Sequence, residues 1–483
     1  MNSLRTCLRS GAFYAAILSL SILLTFSLSA CSGGSSASTG TTPPPAAKTM
    51  VQVNVGDSPA DWMLAFSMNI SSMSLTGSNG SAAVVSTATP MEMMHLMGTM
   101  QPLAMVNLPQ GTYTGATVTI ASATVVYMDP TTKTAVQKTI NGPITGNVTF
   151  ASPVTVGSTA MAMGFDLNLA KSITTDSSGN LAMSPVFNTT TGMQGSGNPL
   201  DFTDGGIEEL MGTVSGVSGS SFTMTSMQAA QSFTFATNGS TVFSNMTMSS
   251  MASGMIVLVD ATLQSDGSLM ATRVQSMSGA GGMMGGGIVT TVTGQPVTSL
   301  TMIMQNGAGT GMMSSYFASG VTVNMSGSTS YEINEDNVDM SNLPFTPRFD
   351  ASNIYPGQAV MPISTTGMMS GSGGMMGGGG MMGGTTMSGT ISATELALMP
   401  QGLSGALGAA VSSGTSSTFT LTLPSDCAFT TLTGATSVTV YQQTDTILAG
   451  TSPLASGASA HVFGLLFNDG GQWKMVAARI GAN

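Results

Sequence analysis

Strict alternation of apolar and polar residues runs through most of the chain. Val51, Val53 and Val55 repeat with period two, the pattern of a strand with one buried face, and Gly56-Asp57-Ser58-Pro59 turns the chain back. Phe66, Met68 and Ile70 line one face of a second strand. Val118 with Ile120, Val125 with Tyr127, and Phe165 with Leu167 and Leu169 continue the series. Strands at this spacing predict an antiparallel β-sandwich over residues 48–198. One stretch breaks the period. If Met91-Glu92-Met93-Met94-His95-Leu96-Met97-Gly98-Thr99-Met100 is helical, Met93, Met97 and Met100 share a face, with Met94 and His95 alongside.

The remainder is repetitive, and repeats decide how such a chain is divided. A first unit, 206–276, runs from Gly212-Thr213-Val214 through Ser221-Phe222-Thr223-Met224 and Gly254-Met255-Ile256-Val257 to Leu269–Val274. A linker at 277–287 leads to a second unit, 288–398, traced by Val289, Val321-Thr322-Val323, Tyr355-Pro356-Gly357-Gln358 and Ile391–Leu396, with an insertion at 367–389. A third unit, 403–481, has Gly405-Ala406-Leu407, Thr418-Phe419-Thr420-Leu421, Gly457 and Lys474–Ile480. Each reads as several strands with a glycine turn before the penultimate pair. Small closed barrels hide their sheet edges, so the expectation is an all-β chain, a string of domains: one sandwich followed by about three small barrel-like repeats. Open sandwiches are the alternative for the repeats.

The first 31 residues are of another kind. Arg5 and Arg9 precede an apolar run, Ala12–Leu28, which ends in Leu28-Ser29-Ala30-Cys31 and gives way to Ser32-Gly33-Gly34. This is the order of a secretory signal peptide, and the small residues before Cys31 resemble the lipobox of bacterial lipoproteins. The resemblance implies acylation of the Cys31 thiol and cleavage before it. Ser32 in place of Asp resembles lipoproteins sent to the outer membrane. An uncleaved anchor is the alternative, with a run slightly short of the ~20 residues that spanning takes. Residues 32–47, with Pro43-Pro44-Pro45, read as a tether.

Two further resemblances concern the folded part. Val53–Ala60, Leu108-Pro109-Gln110-Gly111-Thr112-Tyr113, Gly164-Phe165-Asp166-Leu167 and Ser184-Pro185-Val186-Phe187 resemble the strand and turn motifs of a bacterial envelope domain, domain of unknown function 4382. Asp57-Ser58-Pro59 stands where that family usually has Asp-Ala-Pro. The three repeat units resemble a small β domain of envelope proteins, domain of unknown function 5666. Both resemblances imply location and fold, and neither brings a catalytic residue.

Composition sharpens this picture. Only 6% of residues are charged, against about 25% in typical domains, so Ser, Thr, Asn and Gly must supply solubility. The net charge of −11 and the lack of any basic cluster argue against nucleic acid as a partner. Of three cysteines, Cys7 lies in the leader and Cys31 carries the lipid, which leaves Cys427 alone, without a disulfide partner and read as a small buried hydrophobe.

Methionine is the conspicuous residue, at 43 positions. Many, such as Met224 and Met270, replace Leu or Val in strands and belong to the core. Others sit among glycines: Met283 and Met284 in the linker, and Met368, Met369, Met375, Met376, Met381, Met382 and Met387 in the insertion. Thioethers suit soft ions such as Cu(I) or Ag(I), so both these tracts and Met91, Met93, Met94, His95, Met97 and Met100 are candidate metal ligands. Ordering a glycine-rich loop around an ion costs about 1–2 kcal/mol per residue fixed, which limits affinity there.

Other chemistry is thinly represented. The two histidines, His95 and His461, give no zinc spacing, and His461, in an alternating strand, is expected to face outward. Asn334–Asp339 lacks the order of a calcium loop, and Asp201, Asp204, Glu208 and Glu209 read as solvated. No nucleotide loop is present. The functional expectation is a non-enzymatic envelope lipoprotein, held to the membrane by lipid, with a structural, adhesive or ligand-display role. Soft-metal capture is the alternative, and glycan binding, with 6% aromatic residues, the weaker third.

Overall fold

The computed structural model describes residues 46–58, 60–96, 99–193, 205–227, 229, 231–277, 285–305, 320–335, 338–364, 369–370, 389–413, 416–449 and 454–482. The chain is all-β with several sheets. Eleven strands open it: β1 (Lys48–Ser58), β2 (Met63–Gly77), β3 (Gly80–Val85), β4 (Thr89–Glu92), β5 (Met100–Pro109), β6 (Gly111–Met128), β7 (Ala135–Val156), β8 (Met161–Asn168), β9 (Ile173–Thr175), β10 (Leu181–Met183) and β11 (Phe187–Met193). One sheet runs β11-β8-β1-β5 and the other β3-β2-β6-β7, with β4 also on β2. The predicted apolar faces meet between them: Val51, Val53, Val55, Phe66, Met68, Ile70, Val118, Ile120, Val125, Phe165, Leu167 and Leu169 share one core. The sandwich is not purely antiparallel, because β1 and β8 run parallel from Val51↔Met161 to Ser58↔Asn168. The whole second sheet lies between these two strands in sequence, so β8 returns by a crossover, as a parallel neighbour requires.

Three modules follow. The first holds β12 (Gly206–Ser218), β13 (Ser221–Ser226), β14 (Ser232–Ala236), β15 (Val242–Ser244), β16 (Ile256–Leu263) and β17 (Leu269–Ser276). Its order is β14-β13-β12-β16-β17, and β14 pairs with β17 in parallel, so the hydrogen-bonded path closes on itself. The second holds β18 (Gly287–Thr293), β19 (Ser299–Met304), β20 (Gly320–Asn324), β21 (Ser330–Ile333), β22 (Ala359–Ile363), β23 (Met369–Ser370), β24 (Gly389–Ser392) and β25 (Glu395–Leu398). Here the closing strand is broken in two. β24 runs parallel to β20, β25 pairs with β22, and only Ala393 and Thr394 separate the halves. The third holds β26 (Gln401–Leu407), β27 (Val411–Ser413), β28 (Ser416–Thr422), β29 (Ser437–Ala449), β30 (Ser459–Asp469) and β31 (Gln472–Ala482). Its path β26-β30-β31-β29-β28 returns to β26, again with one parallel pair, β29 on β31. All three therefore share one connectivity, with a first strand flanked by the second and fourth and a third strand running parallel to the fifth. Closure of this kind removes exposed edges.

The repeated glycines explain the shared form. Gly254, Gly357 and Gly457 precede the fourth strand of their modules with φ of 91°, 91° and 85°. Each donates its N–H to a first-strand carbonyl, that of Val214 (2.8 Å), Val289 (2.8 Å) and Leu407 (2.7 Å). Those three residues answer with their own N–H to the carbonyls of Met255, Gln358 and Ala458. Two residues before each acceptor stands another glycine, Gly212, Gly287 or Gly405, where a Cβ would collide with the carbonyl of Thr225, Ile303 or Thr422 on the adjoining strand. Alanine at a positive-φ site costs about 1–3 kcal/mol. At Gly357 the added Cβ would also lie 2.7 Å from the ring of Phe429, whereas at Gly254 and Gly457 it meets open space. Gly357→Ala is therefore expected to lower the urea midpoint more than Gly254→Ala or Gly457→Ala. Equal losses for the three would show that the ring gives way.

Residues 46–483 make one compact unit, because each module presents apolar side chains to its neighbours. Leu465 and Phe467 on β30, with Val476 on β31, belong to the core of the second module rather than their own. Ala460, Val462 and Leu466 on β30 fill the core of the third. This strand is buried on both faces, which accounts for the unbroken run Val462-Phe463-Gly464-Leu465-Leu466-Phe467.

Candidate functional site

The methionine-rich stretch at 91–100 does not form the helix that its spacing allowed. Met91 is in β4 opposite Met68, Met94–Leu96 make a single 3-10 turn, and Met100 opens β5 opposite Gly56. Glu92 sets this path: its fully buried carboxylate accepts the backbone N–H of Phe66 (3.0 Å) and of Met94 (3.2 Å). Met91, Met93 and Met94 consequently point into the sandwich core, and Met100 is buried against Gly164. Cys31, Met97, Met283, Met284, Met368, Met375, Met376, Met381, Met382, Met387, Asp201, Asp204 and Asp336 lie outside the described residues. Met369 falls in the two-residue β23.

Neutral amides bridge the sandwich to the second module and the second module to the third. Gln305 donates to the carbonyl of Leu64 (2.7 Å), Gln358 to that of Leu466 (3.0 Å), Gln401 to that of Gly357 (2.8 Å) and Gln443 to that of Ser341 (3.1 Å). Each bond crosses from one unit to another, and a side chain that needs no counter-ion suits a chain so poor in charge. A cavity of about 100 Å³ remains at the centre, lined among others by Met94, Gln101, Glu208, Met211, Met399 and Gln401. At its wall Arg479 of the third module meets Glu208 of the first at 2.7 Å, with side chains 4% and 11% exposed. The sequence marked Glu208 as solvated. Module packing buries it.

His461 departs from expectation in the same way. It is 6% exposed, and its Nδ1 lies 3.0 Å from the hydroxyl of Ser404, its partner in register on β26. The face it occupies is covered by the Asp61 turn of the sandwich, whose carboxyl bonds to the hydroxyl and backbone N–H of Ser404. Burial pushes the Asp61 carboxyl up, and these two bonds oppose that shift. The trio contains the residue types of a hydrolytic triad, with the acid bonded to the serine. Nearby Cys427 is buried, free of any disulfide and pushed up to about 11, chiefly by burial, so its thiol stays protonated.

Asp57 is a further buried acid, and it continues the Val51-Val53-Val55 face of β1. It sits on β1 with neither carboxylate oxygen partnered. Burial, followed by the charges of Asp166, Glu92 and Asp61, holds its carboxyl well above the usual range. A native carboxyl that binds its proton more tightly than the unfolded chain does contributes stability that is complete below about pH 4 and is lost as pH rises towards the folded-state value. Asp57→Asn removes this loss. The variant is expected to gain on the wild type in urea unfolding as pH increases from 4 to 8. A variant weaker at every pH, with an unchanged slope, would mean that Asp57 works ionised.

An opening of about 700 Å³ lies between the end of β17 and the second module. Glu332, Glu335, Asp350 and Glu395 line it with Arg348, Tyr331 and Phe349, and its apolar wall carries Met277, Met361 and Met399. Tyr331 and Phe349 meet edge to face at 6.1 Å. Burial, with the adjacent Glu332, raises the Glu395 carboxyl. Asn334 and Glu335, from the acidic stretch that the sequence read as a loop, belong to this rim. Among the described residues no group of three or more His, Cys, Asp or Glu is placed to hold a metal ion, and no helix is long and apolar enough to cross a membrane.

Residues 211–275, which fill most of the first module, match the family model described as Domain of unknown function (DUF5666). No curated protein matches the chain.

Proposed function

We propose that the protein is a non-enzymatic lipoprotein of the cell envelope, anchored by acyl chains on Cys31, whose packed β units form one stiff body for structural support or ligand display. The observation that carries this reading is the order Arg5, Arg9, the apolar Ala12–Leu28 run and Leu28-Ser29-Ala30-Cys31, followed by a proline-bearing tether. Each buried CH₂ contributes about 0.8 kcal/mol, so two or three chains make attachment effectively permanent. Ser32 supports placement in the outer membrane. The motifs around Val53–Ala60 and Leu108–Tyr113 support kinship of the sandwich with family 4382, and the shared connectivity supports a family-5666 origin for the second and third modules as well as the first. The amide bridges and the doubly buried β30 favour a rigid display role.

Labelling cells with palmitate tests the anchor. The native protein is expected to take up label and stay with membranes, and Cys31→Ser to lose the label and appear in the soluble fraction. An unmodified Cys31 thiol in the natural protein, shown by mass spectrometry, would remove the proposal.

A further inference from the structure

We infer that the cleft between the first and second modules is a preformed thioether site for a soft monovalent cation, Cu(I) or Ag(I), with Met277, Met361 and Met399 as its ligands. This goes beyond the lipoprotein reading and does not depend on it.

Five methionines, Met211, Met227, Met277, Met361 and Met399, gather in one apolar cluster where these modules touch. Three of them also line the open cleft. Strand register places two of the three together. Met361 stands opposite Ala397 in the β22–β25 pair, so Met399, two residues on, lies diagonally across from it on the same face. Diagonal neighbours in a sheet have Cα atoms about 7–8 Å apart, within reach of two long side chains. Met277 enters from the other module, fixed where its N–H bonds to the carbonyl of Ile256 (3.0 Å). Met399 is fixed likewise by the carbonyl of Ala359 (2.9 Å). The sulfur of Met399 already accepts a polar contact from the Asn334 amide at 3.8 Å, so a lone pair faces the cleft rather than the core.

The rim supplies the second half of the chemistry. Glu332, Glu335, Asp350 and Glu395 draw cations into a concave site whose walls are of low dielectric. Hard ions would be satisfied by these oxygens and gain nothing from thioethers, whereas Cu(I) and Ag(I) prefer sulfur. Met361 lies in β22, and Met277 and Met399 directly follow β17 and β25 with their N–H groups bonded to neighbouring carbonyls, so no glycine-rich loop has to be ordered on binding, which is the cost that weakens such tracts as ligands.

The test is titration of the mature chain with Ag(I), and with Cu(I) under a competing chelator, beside two variants. In one, Met277, Met361 and Met399 become Leu, a volume-conserving change that keeps the packing. In the other, Met368, Met369, Met375, Met376, Met381, Met382 and Met387 become Leu. The tightest equivalent is expected to survive in the second variant and to weaken at least tenfold in the first. Methionine methyl spectra give a readout that needs no multiple variant. The first equivalent of Ag(I) should move the resonances of Met277, Met361 and Met399, assigned by single Leu replacements, before any others. Unchanged affinity in the first variant, loss in the second, first shifts at other methionines, or no binding tighter than micromolar would each overturn the assignment.

Discussion

Replacing Glu208 by alanine is expected to lower the unfolding free energy by about 3–5 kcal/mol, the usual result of removing one partner from a buried ion pair. Arg479 is 4% exposed and its guanidinium lies 2.7 Å from the Glu208 carboxylate, so the charge left behind cannot turn to bulk water without opening the joint between the first and third modules. Arg479→Met alone strands the carboxylate in the same way. The double variant should recover much of the loss, since an apolar pair of similar volume has no charge to desolvate. A double-mutant cycle in urea measures this directly, and additive single losses would mean that the pair is not coupled. Lys474 and Asp469 give the contrast. They are 2.5 Å apart, but Asp469 is 49% exposed, and breaking that pair is expected to change stability by less than about 1 kcal/mol.

Phe467→Ala should cost about 3–5 kcal/mol by opening a cavity in a packed core, and the cost should fall on two modules at once. Phe467 belongs to the third module by sequence, but it is 2% exposed within the core of the second, 5.9 Å from the ring of Phe345. Thermal unfolding of the variant is expected to remain a single transition at lower temperature, with the spectroscopic signals of both modules lost together. Two separated transitions, only one of them shifted, would show that the modules melt independently.

The difference between these two sites and the rest of the fold shows what sequence could convey. Period-two faces such as Val51-Val53-Val55 and Phe66-Met68-Ile70 located the sandwich core because alternation is a local signal. The glycines at 254, 357 and 457 marked the repeats because a positive φ restricts residue choice wherever it occurs. Burial of Glu208 and His461 has no such local trace. Each is covered from another unit, Glu208 by Arg479 of the third module and the face of His461 by the Asp61 turn of the sandwich. Met91–Met100 misled for a related reason. Spacing at i, i+4 and i+7 fits a helix, but the Glu92 carboxylate takes the backbone N–H of Met94 and ties the stretch to Phe66 on β2, and the turn is set by that carboxylate. The cleft methionines lay hidden among 43. Met277, Met361 and Met399 are neither close in sequence nor part of a tract, and it takes the β22–β25 register together with the packing of the first module on the second to bring them to one wall.

The amide bridges have a further consequence. Gln305, Gln358, Gln401 and Gln443 neither titrate nor attract counter-ions, so dissolved salt has nothing in these four bonds to screen, and acid or alkali has nothing in them to neutralise. The ion pair of Arg479 with Glu208 lies too deep for mobile ions to weaken much. Joints of this kind hold alike in brine and in fresh water, where contacts made through surface charge loosen in the first and tighten in the second.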